Sequence, residues 1–130
     1  MGTCAVRTRC AAQAAARARV AFTYRGRRAD FEAMIDTGNT LRDYLTHLPV
    51  IVLPQSAARR RLRLGDMQFR PIFAQTAGGR QRMSVFSPQE IELECHGINR
   101  RVCAVIALSP QMNGDAPALV PAALMDEQGN

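Results

Sequence analysis

The sequence feature that most constrains the fold is the alternation of apolar and polar side chains in short runs. Apolar residues recur at every second position in "VAFTY", "ADFEAMI" and "EIELEC", which begin at residues 20, 29 and 90. This period of two is typical of half-buried strands, and each run is shorter than an ordinary helix. Turn residues such as Gly26, and the "HGIN" segment at residue 96, separate the runs. The pattern therefore predicts a mainly β fold.

Other segments complete this prediction. The continuous apolar run Leu48–Leu53 is bounded by prolines and is typical of a strand buried on both faces. One short helix is predicted over Gln55–Leu64, and a second opens near Pro121, after a small strand at Ala118–Val120. The segment "RRVCAVIALS", which begins at residue 100, is predicted to form one longer strand.

At 130 residues with 47% hydrophobic composition, the chain is expected to fold as one domain. The Arg- and Ala-rich residues 1–19 are predicted to be a linker or a frayed helix, because the composition changes abruptly at Val20. The compact domain is predicted over residues 20–125, and residues 126–130 are expected to be a disordered tail. No run approaches the ~20 apolar residues of a membrane span, so this chain is expected to be soluble.

The net charge of +6 comes from 17 basic residues, all of which are arginine. A basic surface can attract nucleic acid, anionic lipid or an acidic partner. Apart from a cluster at residues 59–63, the arginines are scattered, and no recognition motif with interleaved aromatic residues accompanies them. We therefore expect no nucleic-acid partner, and an Arg-rich nucleic-acid binder is the third and weakest interpretation.

The four cysteines are Cys4, Cys10, Cys95 and Cys103. No signal peptide precedes them, so reduced thiols are expected. Cys95 and Cys103 lie on apolar segments, where a free cysteine behaves as a small hydrophobe. Cys95 adjoins His96, but no second close pair completes a set of four metal ligands. Neither a metal nor another cofactor is expected.

Asp36 follows the apolar positions of a predicted strand and begins the segment Asp36–Thr37–Gly38–Asn39. An acid at a strand end can serve only the turn, because aspartate accepts hydrogen bonds from backbone N–H groups two residues on. A second β unit downstream contains "QTAGG", whose glycines can take the positive φ angles of a tight hairpin. This context also allows a catalytic acid.

The segment "DTGNTLRDYLTHLPVIV" resembles the sporulation sigma-E factor processing peptidase family, and its Asp-Thr-Gly is the signature of aspartic proteases. Further similarity lies in "QTAGG", in "SVFSP" and in "ALVPAALM", so that the resemblance spans about residues 20–125. The sequence departs from the family pattern at Tyr44, Gln89, Val120 and Ala122, all outside the acidic signature. These departures bear on the contacts expected with partners more than on the chemistry expected of Asp36.

The resemblance implies a retropepsin-like aspartic protease half-barrel with a flap hairpin and one or two short helices. The implied activity is that of an aspartic endopeptidase, a hydrolase that cleaves the pro-segment from a sporulation sigma factor. Asp36 would be catalytic. The turn residues Thr37, Gly38 and Asn39 would support it. The flap that contacts substrate would comprise Thr76, Ala77, Gly78 and Gly79.

Aspartic protease chemistry needs two carboxylates that share a proton around one water molecule. This chain has one Asp-Thr-Gly, since Asp66 and Asp115 lack the Thr/Ser-Gly that would follow a second catalytic acid. A lone copy predicts a symmetric homodimer in which each subunit provides one Asp36. Asp43 is interpreted as structural, paired with Arg42 or with an arginine elsewhere.

The family also implies a pro-sigma factor as substrate and an activating signalling protein as a further partner. It places the protease on the cytoplasmic side of the cell or septal membrane, attached through a membrane region that is absent from this chain. The main alternative is a catalytically dormant retropepsin-like dimerisation or binding module. In that alternative, Asp36 is a buried turn acid only.

Overall fold

The structure is a computed structural model that describes residues 16–66, 68–76 and 79–127. Within them the fold is mainly β with short helices, as the sequence predicts. The strands are β1 (Arg17–Tyr24), β2 (Arg27–Asp36), β3 (Val50–Pro54), β4 (Arg70–Thr76), β5 (Gly79–Phe86), β6 (Gln89–Cys95), β7 (Ile98–Val102), β8 (Val105–Ser109) and β9 (Ala118–Pro121). The α-helices are α1 (Gln55–Arg61) and α2 (Ala123–Glu127), and a 3₁₀ turn spans Leu64–Asp66.

The strands form one sheet of nine in the order β4-β5-β8-β3-β9-β2-β1-β6-β7. The pairs β2–β9 and β3–β8 are parallel, and the other pairs are antiparallel. Strand β9 thus lies between β2 and β3, although it comes last in the sequence. This arrangement brings the ends of β2 and β8 to the region where the candidate site lies.

Two hairpins close through two-residue turns in which both residues have positive φ. In the β1–β2 turn, Arg25 and Gly26 have φ angles of 51° and 79°. In the β6–β7 turn, His96 and Gly97 have φ angles of 54° and 77°. Such turns match the right-handed twist of the flanking strands and favour glycine. The predicted turns at Gly26 and in "HGIN" are therefore confirmed.

The apolar side chains form two clusters on opposite faces of the central strands. Along β3, Ile51 and Leu53 enter the larger cluster, which includes residues of β1, β2, β6 and both helices. The alternate residues Val50 and Val52 enter a smaller cluster, which they share with β4, β5 and β8. Every residue of β3 is consequently buried, which explains its continuous apolar run. The smaller cluster anchors the β4–β5 hairpin.

Four of the differences from the prediction change the extent or number of the elements. Strand β1 begins at Arg17, because it pairs along its full length with β2, whereas residues 17–19 were assigned to the linker. Helix α1 ends at Arg61, since Leu62 is extended and buried. Helix α2 includes residues 126 and 127, which were assigned to the tail. The segments 1–15 and 128–130 lie outside the described residues.

The fourth difference is that "RRVCAVIALS" does not form one strand. It divides into β7, which pairs with β6 at one edge of the sheet, and β8, which pairs with β3 and β5 on the other side. The break falls at Cys103 and Ala104, and Cys103 is exposed while Cys95 is buried. The expectation of a small buried hydrophobe is thus confirmed for Cys95 and wrong for Cys103.

None of the helices in the described part of the chain is long and apolar enough to cross a membrane. Over the same residues, no group of three or more His, Cys, Asp or Glu side chains is arranged to hold a metal ion.

Candidate active site

Asp36 is the last residue of β2, where it lies opposite Pro121 of the parallel strand β9. Its side chain is half-buried, and its Oδ1 accepts a hydrogen bond from the Gly38 N–H at 3.0 Å. The Asn39 N–H donates to the Asp36 carbonyl at 3.1 Å. These bonds form the local turn expected of an Asp-x-Gly segment. The first of these bonds engages one of the two carboxylate oxygens, Oδ1.

Asn39 connects this turn to two strands of the sheet. Its Nδ2 donates to the Val50 carbonyl of β3 at 2.9 Å and, more weakly, to the Leu119 carbonyl of β9 at 3.5 Å. Its Oδ1 accepts from the Leu41 N–H at 3.1 Å. One partly buried carboxamide therefore holds the Asp36 turn against the middle of the sheet.

We expect Asn39→Ala to lower the free energy of unfolding by about 1–3 kcal/mol, because it leaves partly buried backbone groups of Val50 and Leu41 without this partner. Urea denaturation measures the change. Asn99→Ala on β7 is the matched control, since Asn99 is exposed. Equal stability of the two variants would contradict a structural role for the Asn39 carboxamide.

Asp36 opens into a cleft of about 590 Å³ with three walls. The loop after β2 contributes residues 38–42, and the β4–β5 hairpin contributes Ala74, Gln75, Gln81 and Met83. The end of β8 contributes Ser109, and the segment after it contributes Gln111 and Met112; Val52 and Leu119 complete the lining. Among the described lining residues, Asp36 is the only acid. The described part of the chain thus presents a single carboxylate to a cleft that is otherwise lined by amides, hydroxyls, apolar groups and Arg42.

Of the predicted flap residues, Thr76 and Gly79 lie at the described end of the β4–β5 hairpin. Thr76 ends β4 and is opposite Gly79, which begins β5 with a φ of 110°. That angle favours glycine. Ala77 and Gly78 lie outside the described residues. The hairpin borders the same cleft as Asp36, which is the placement that a flap requires.

Thr37 and Gly38 are exposed beside Asp36. The nearest atom to a Cβ placed on Gly38 would be Asp36 Oδ1 at 3.4 Å, which is an ordinary contact. Packing within the described part of the chain therefore gives little reason for glycine at this position.

Asp43 is fully buried and forms a bidentate ion pair with Arg70, the first residue of β4. The two contacts join Arg70 Nη1 to Asp43 Oδ1 at 2.8 Å and Nη2 to Oδ2 at 2.9 Å. Oδ2 also accepts from the Thr46 N–H and hydroxyl. The Arg70 hydrogen bonds lower the pKa of Asp43 from 3.8 to about 2, against the opposing effect of burial and with help from Thr46.

Of the two partners considered for Asp43, the arginine elsewhere in the chain is the one observed. Arg42 instead donates to the His47 carbonyl. The Asp43–Arg70 pair joins the loop that follows Asp36 to the base of the β4–β5 hairpin. It therefore fixes two walls of the cleft relative to each other.

Sequence reasoning missed the part of the site that follows β8. Ser109 is buried, with an exposed fraction of 3%, and lies in the cleft wall with Gln111 and Met112. Gln81, on β5, was likewise not singled out. The one available signal is that β8 is an apolar strand that ends on the polar residue Ser109, but the strands that it joins depend on pairing with distant segments.

Comparison with protein families supports a peptidase related to sporulation. The matching family is Peptidase_U4, described as sporulation factor SpoIIGA, whose model matches residues 4–65, just under half of the chain. The match confirms the resemblance to the sigma-E factor processing peptidases, and it includes Asp36–Asn39 but ends before β4. No curated protein matches the chain.

Proposed function

We propose that this chain is an aspartic endopeptidase that removes the pro-segment from a sporulation sigma factor, with an active site shared between two subunits. The observation that carries the proposal is the single carboxylate of Asp36, on an Asp-Thr-Gly turn, at a cleft bordered by a hairpin. The family match supplies the link to sporulation. A retropepsin-like arrangement accounts for both the lone carboxylate at the cleft and the family match.

In the proposed dimer, Asp36 of each subunit faces a common water molecule across a two-fold axis. Two carboxyl groups at about 3 Å cannot both ionise at low cost, so one remains protonated. The ionised group takes a proton from water, whose oxygen attacks the scissile carbonyl carbon, while the protonated group donates to the carbonyl oxygen. Collapse of the tetrahedral intermediate breaks the C–N bond, and the leaving nitrogen receives a proton.

The exposed neighbours have roles in the same proposal. Thr37 hydrogen-bonds across the axis and holds the two acids in place. Gly38 allows the two backbones to approach closely, which would explain a glycine that packing within one subunit does not require. The β4–β5 hairpin closes over the peptide and excludes water, and the flap residues Thr76, Ala77, Gly78 and Gly79 contact the substrate.

The proposed partners are a second copy of the chain, the pro-sigma factor and an activating signalling protein. In the full protein, a membrane region outside this chain would hold the domain on the cytoplasmic side of the cell or septal membrane. Dimerisation is the step that the activator would promote.

A dormant binding module is the second candidate. It accounts for the hydrogen bond from the Gly38 N–H to Asp36 Oδ1 as well as the enzyme does, because a turn acid that never acts in catalysis would make this same bond. In that case the chain would bind partners without hydrolysing a peptide.

We expect cleavage to require dimerisation. In dilute solution, the initial rate of pro-sigma factor cleavage should rise with the square of the chain concentration, because two subunits form each site. Initial rates measured beside sedimentation velocity test this relation, with Asp36→Asn as the inactive control. Full specific activity in a population that sediments as monomer would exclude a shared site.

A further inference from the structure

The antiparallel ladder between β5 and β8 ends inside the cleft. Backbone pairing joins Ser84 to Leu108, Val85 to Ala107 and Phe86 to Ile106. Beyond Ser84 the two segments separate, and β5 continues to Gly79 paired only with β4 among the described strands. The cleft lies at this fork, because residues from both branches line it.

One side-chain hydrogen bond crosses the fork. Gln81 Nε2 donates to Gln111 Oε1. If the ladder continued in the same register, Gln81 would lie directly opposite Gln111, since each is three residues beyond the last backbone pair of Ser84 and Leu108. The two amides thus replace the missing backbone pairing and tie the hairpin to the segment after β8.

Each amide retains hydrogen-bonding capacity that no other described residue uses. Gln81 Oε1 can accept, and the Gln111 NH₂ group can donate, because the only described hydrogen bond of these side chains is the one between them. An extended peptide presents the complementary groups, an N–H and a C=O, at regular intervals along its backbone. Side-chain amides can therefore recognise a peptide backbone irrespective of its side chains.

We propose that Gln81 and Gln111 form a strap that closes the fork in the free protein and exchanges its internal hydrogen bond for bonds to the backbone of a bound peptide. The proposal rests on the proposed function, since it concerns the peptide that enters the Asp36 cleft. The strap is a substrate-positioning pair that hydrogen-bonds to the peptide backbone. It also determines the free energy needed to open the hairpin.

The first test needs no substrate. In the 130-residue chain, Gln81→Leu and Gln111→Leu should each increase amide hydrogen exchange at residues 80–83 several-fold, because the strap no longer holds the hairpin. Gln89→Leu is the matched control, since Gln89 is an exposed amide at the start of β6 and outside the cleft. Exchange that is the same in all three variants would overturn the strap.

The second test uses a synthetic pro-segment peptide and the Asp36→Asn chain, which is expected to bind the peptide without cleaving it. Adding Gln81→Leu or Gln111→Leu should weaken binding about tenfold, equivalent to one or two ordinary hydrogen bonds. Replacing one backbone amide of the peptide by an ester should weaken binding to the chain with Gln81, and have little further effect once Gln81→Leu is present.

The outcomes separate the two proposals. A peptide that binds the Asp36→Asn chain with the same affinity in the presence and absence of the two amides would overturn the strap and leave the proposed function standing. Failure of the peptide to bind any of the chains would overturn the proposed substrate. The strap would then lose its peptide role, whatever the hydrogen exchange showed.

Discussion

Asp36→Asn should abolish peptide hydrolysis while leaving the fold intact. Asparagine keeps the oxygen that accepts from the Gly38 N–H at the end of β2, so the turn persists. It cannot hold the negative charge that activates water. Loss of a general acid–base group typically lowers rates by about 10²- to 10⁴-fold, and we expect at least that loss in cleavage of a pro-sigma factor.

Glu32→Gln provides the matched control. Glu32 is an exposed acid on the same strand and lies outside the cleft, so the same change of carboxylate to amide should leave cleavage unaltered. The dimer of Asp36→Asn should be at least as stable as the original dimer, because removing one of two closely spaced carboxyl groups removes a repulsion.

Mixing the two chains distinguishes a shared site from a complete site in each subunit. Heterodimers of original and Asp36→Asn chains should be inactive, so excess variant should suppress cleavage in proportion to the heterodimer formed. Subunit exchange is verified with one labelled chain. If the mixture keeps the full activity of its original component despite exchange, each chain must contain a complete site.

The same variant decides between the enzyme and the dormant module. A module would show no cleavage by the original chain, and Asp36→Asn would leave its partner binding unchanged, because asparagine is as good a turn residue as aspartate. The hydrogen bond to Gly38 belongs to both candidates, so only the loss of a measured hydrolysis identifies the catalytic role.

Local signals made much of the fold predictable. The alternation in β1, β2 and β6 reports which face each strand buries, and Gly26 and Gly97 mark turns that only a few residue types enter readily. These features concern neighbours in the sequence. The mainly β class and the existence of the β4–β5 hairpin followed from them, whereas the placement of that hairpin over the acid was what the family resemblance implied.

The rest of the site depends on contacts between distant segments. The alternation of apolar and polar residues in β2 and β9 does not indicate that these two strands pair in parallel. The contact between Asn39 and the Leu119 carbonyl therefore could not be predicted from the sequence. The choice of Arg70 as partner for Asp43, which lies 27 positions earlier in the sequence, has the same origin. With 17 arginines available, composition alone cannot select one.

The second large effect is expected at the ion pair between Asp43 and Arg70. Asp43→Ala should destabilise the fold by about 3–5 kcal/mol, because it leaves the partly buried Arg70 without its carboxylate. It also removes the acceptor for the Thr46 N–H and hydroxyl. Denaturant titration measures the loss, and Asp115→Ala, at an exposed loop acid, is the control. A loss no larger than that of the control would show that the pair contributes little.

The pH dependence of stability provides an independent signature of Asp43. The pKa of Asp43 is about 2 in the fold, compared with 3.8 for an unperturbed aspartate, so the folded state holds the proton less tightly than the unfolded state. The contribution is therefore fully present above about pH 4 and is lost as the pH falls towards 2. A shift of this size corresponds to about 2 kcal/mol.

Asp43→Asn should accordingly be less stable at neutral pH and should show a flatter decline in unfolding free energy between pH 4 and pH 2.

Replacing both partners, as in Asp43→Leu with Arg70→Met, should recover part of the stability, because no unpaired charge remains buried. Since the pair joins the loop after Asp36 to the base of the hairpin, cleavage by the double variant tests its second role. Recovered stability with lost cleavage would mean that Asp43 and Arg70 position the two walls of the cleft, whereas recovery of both would assign the pair to stability alone.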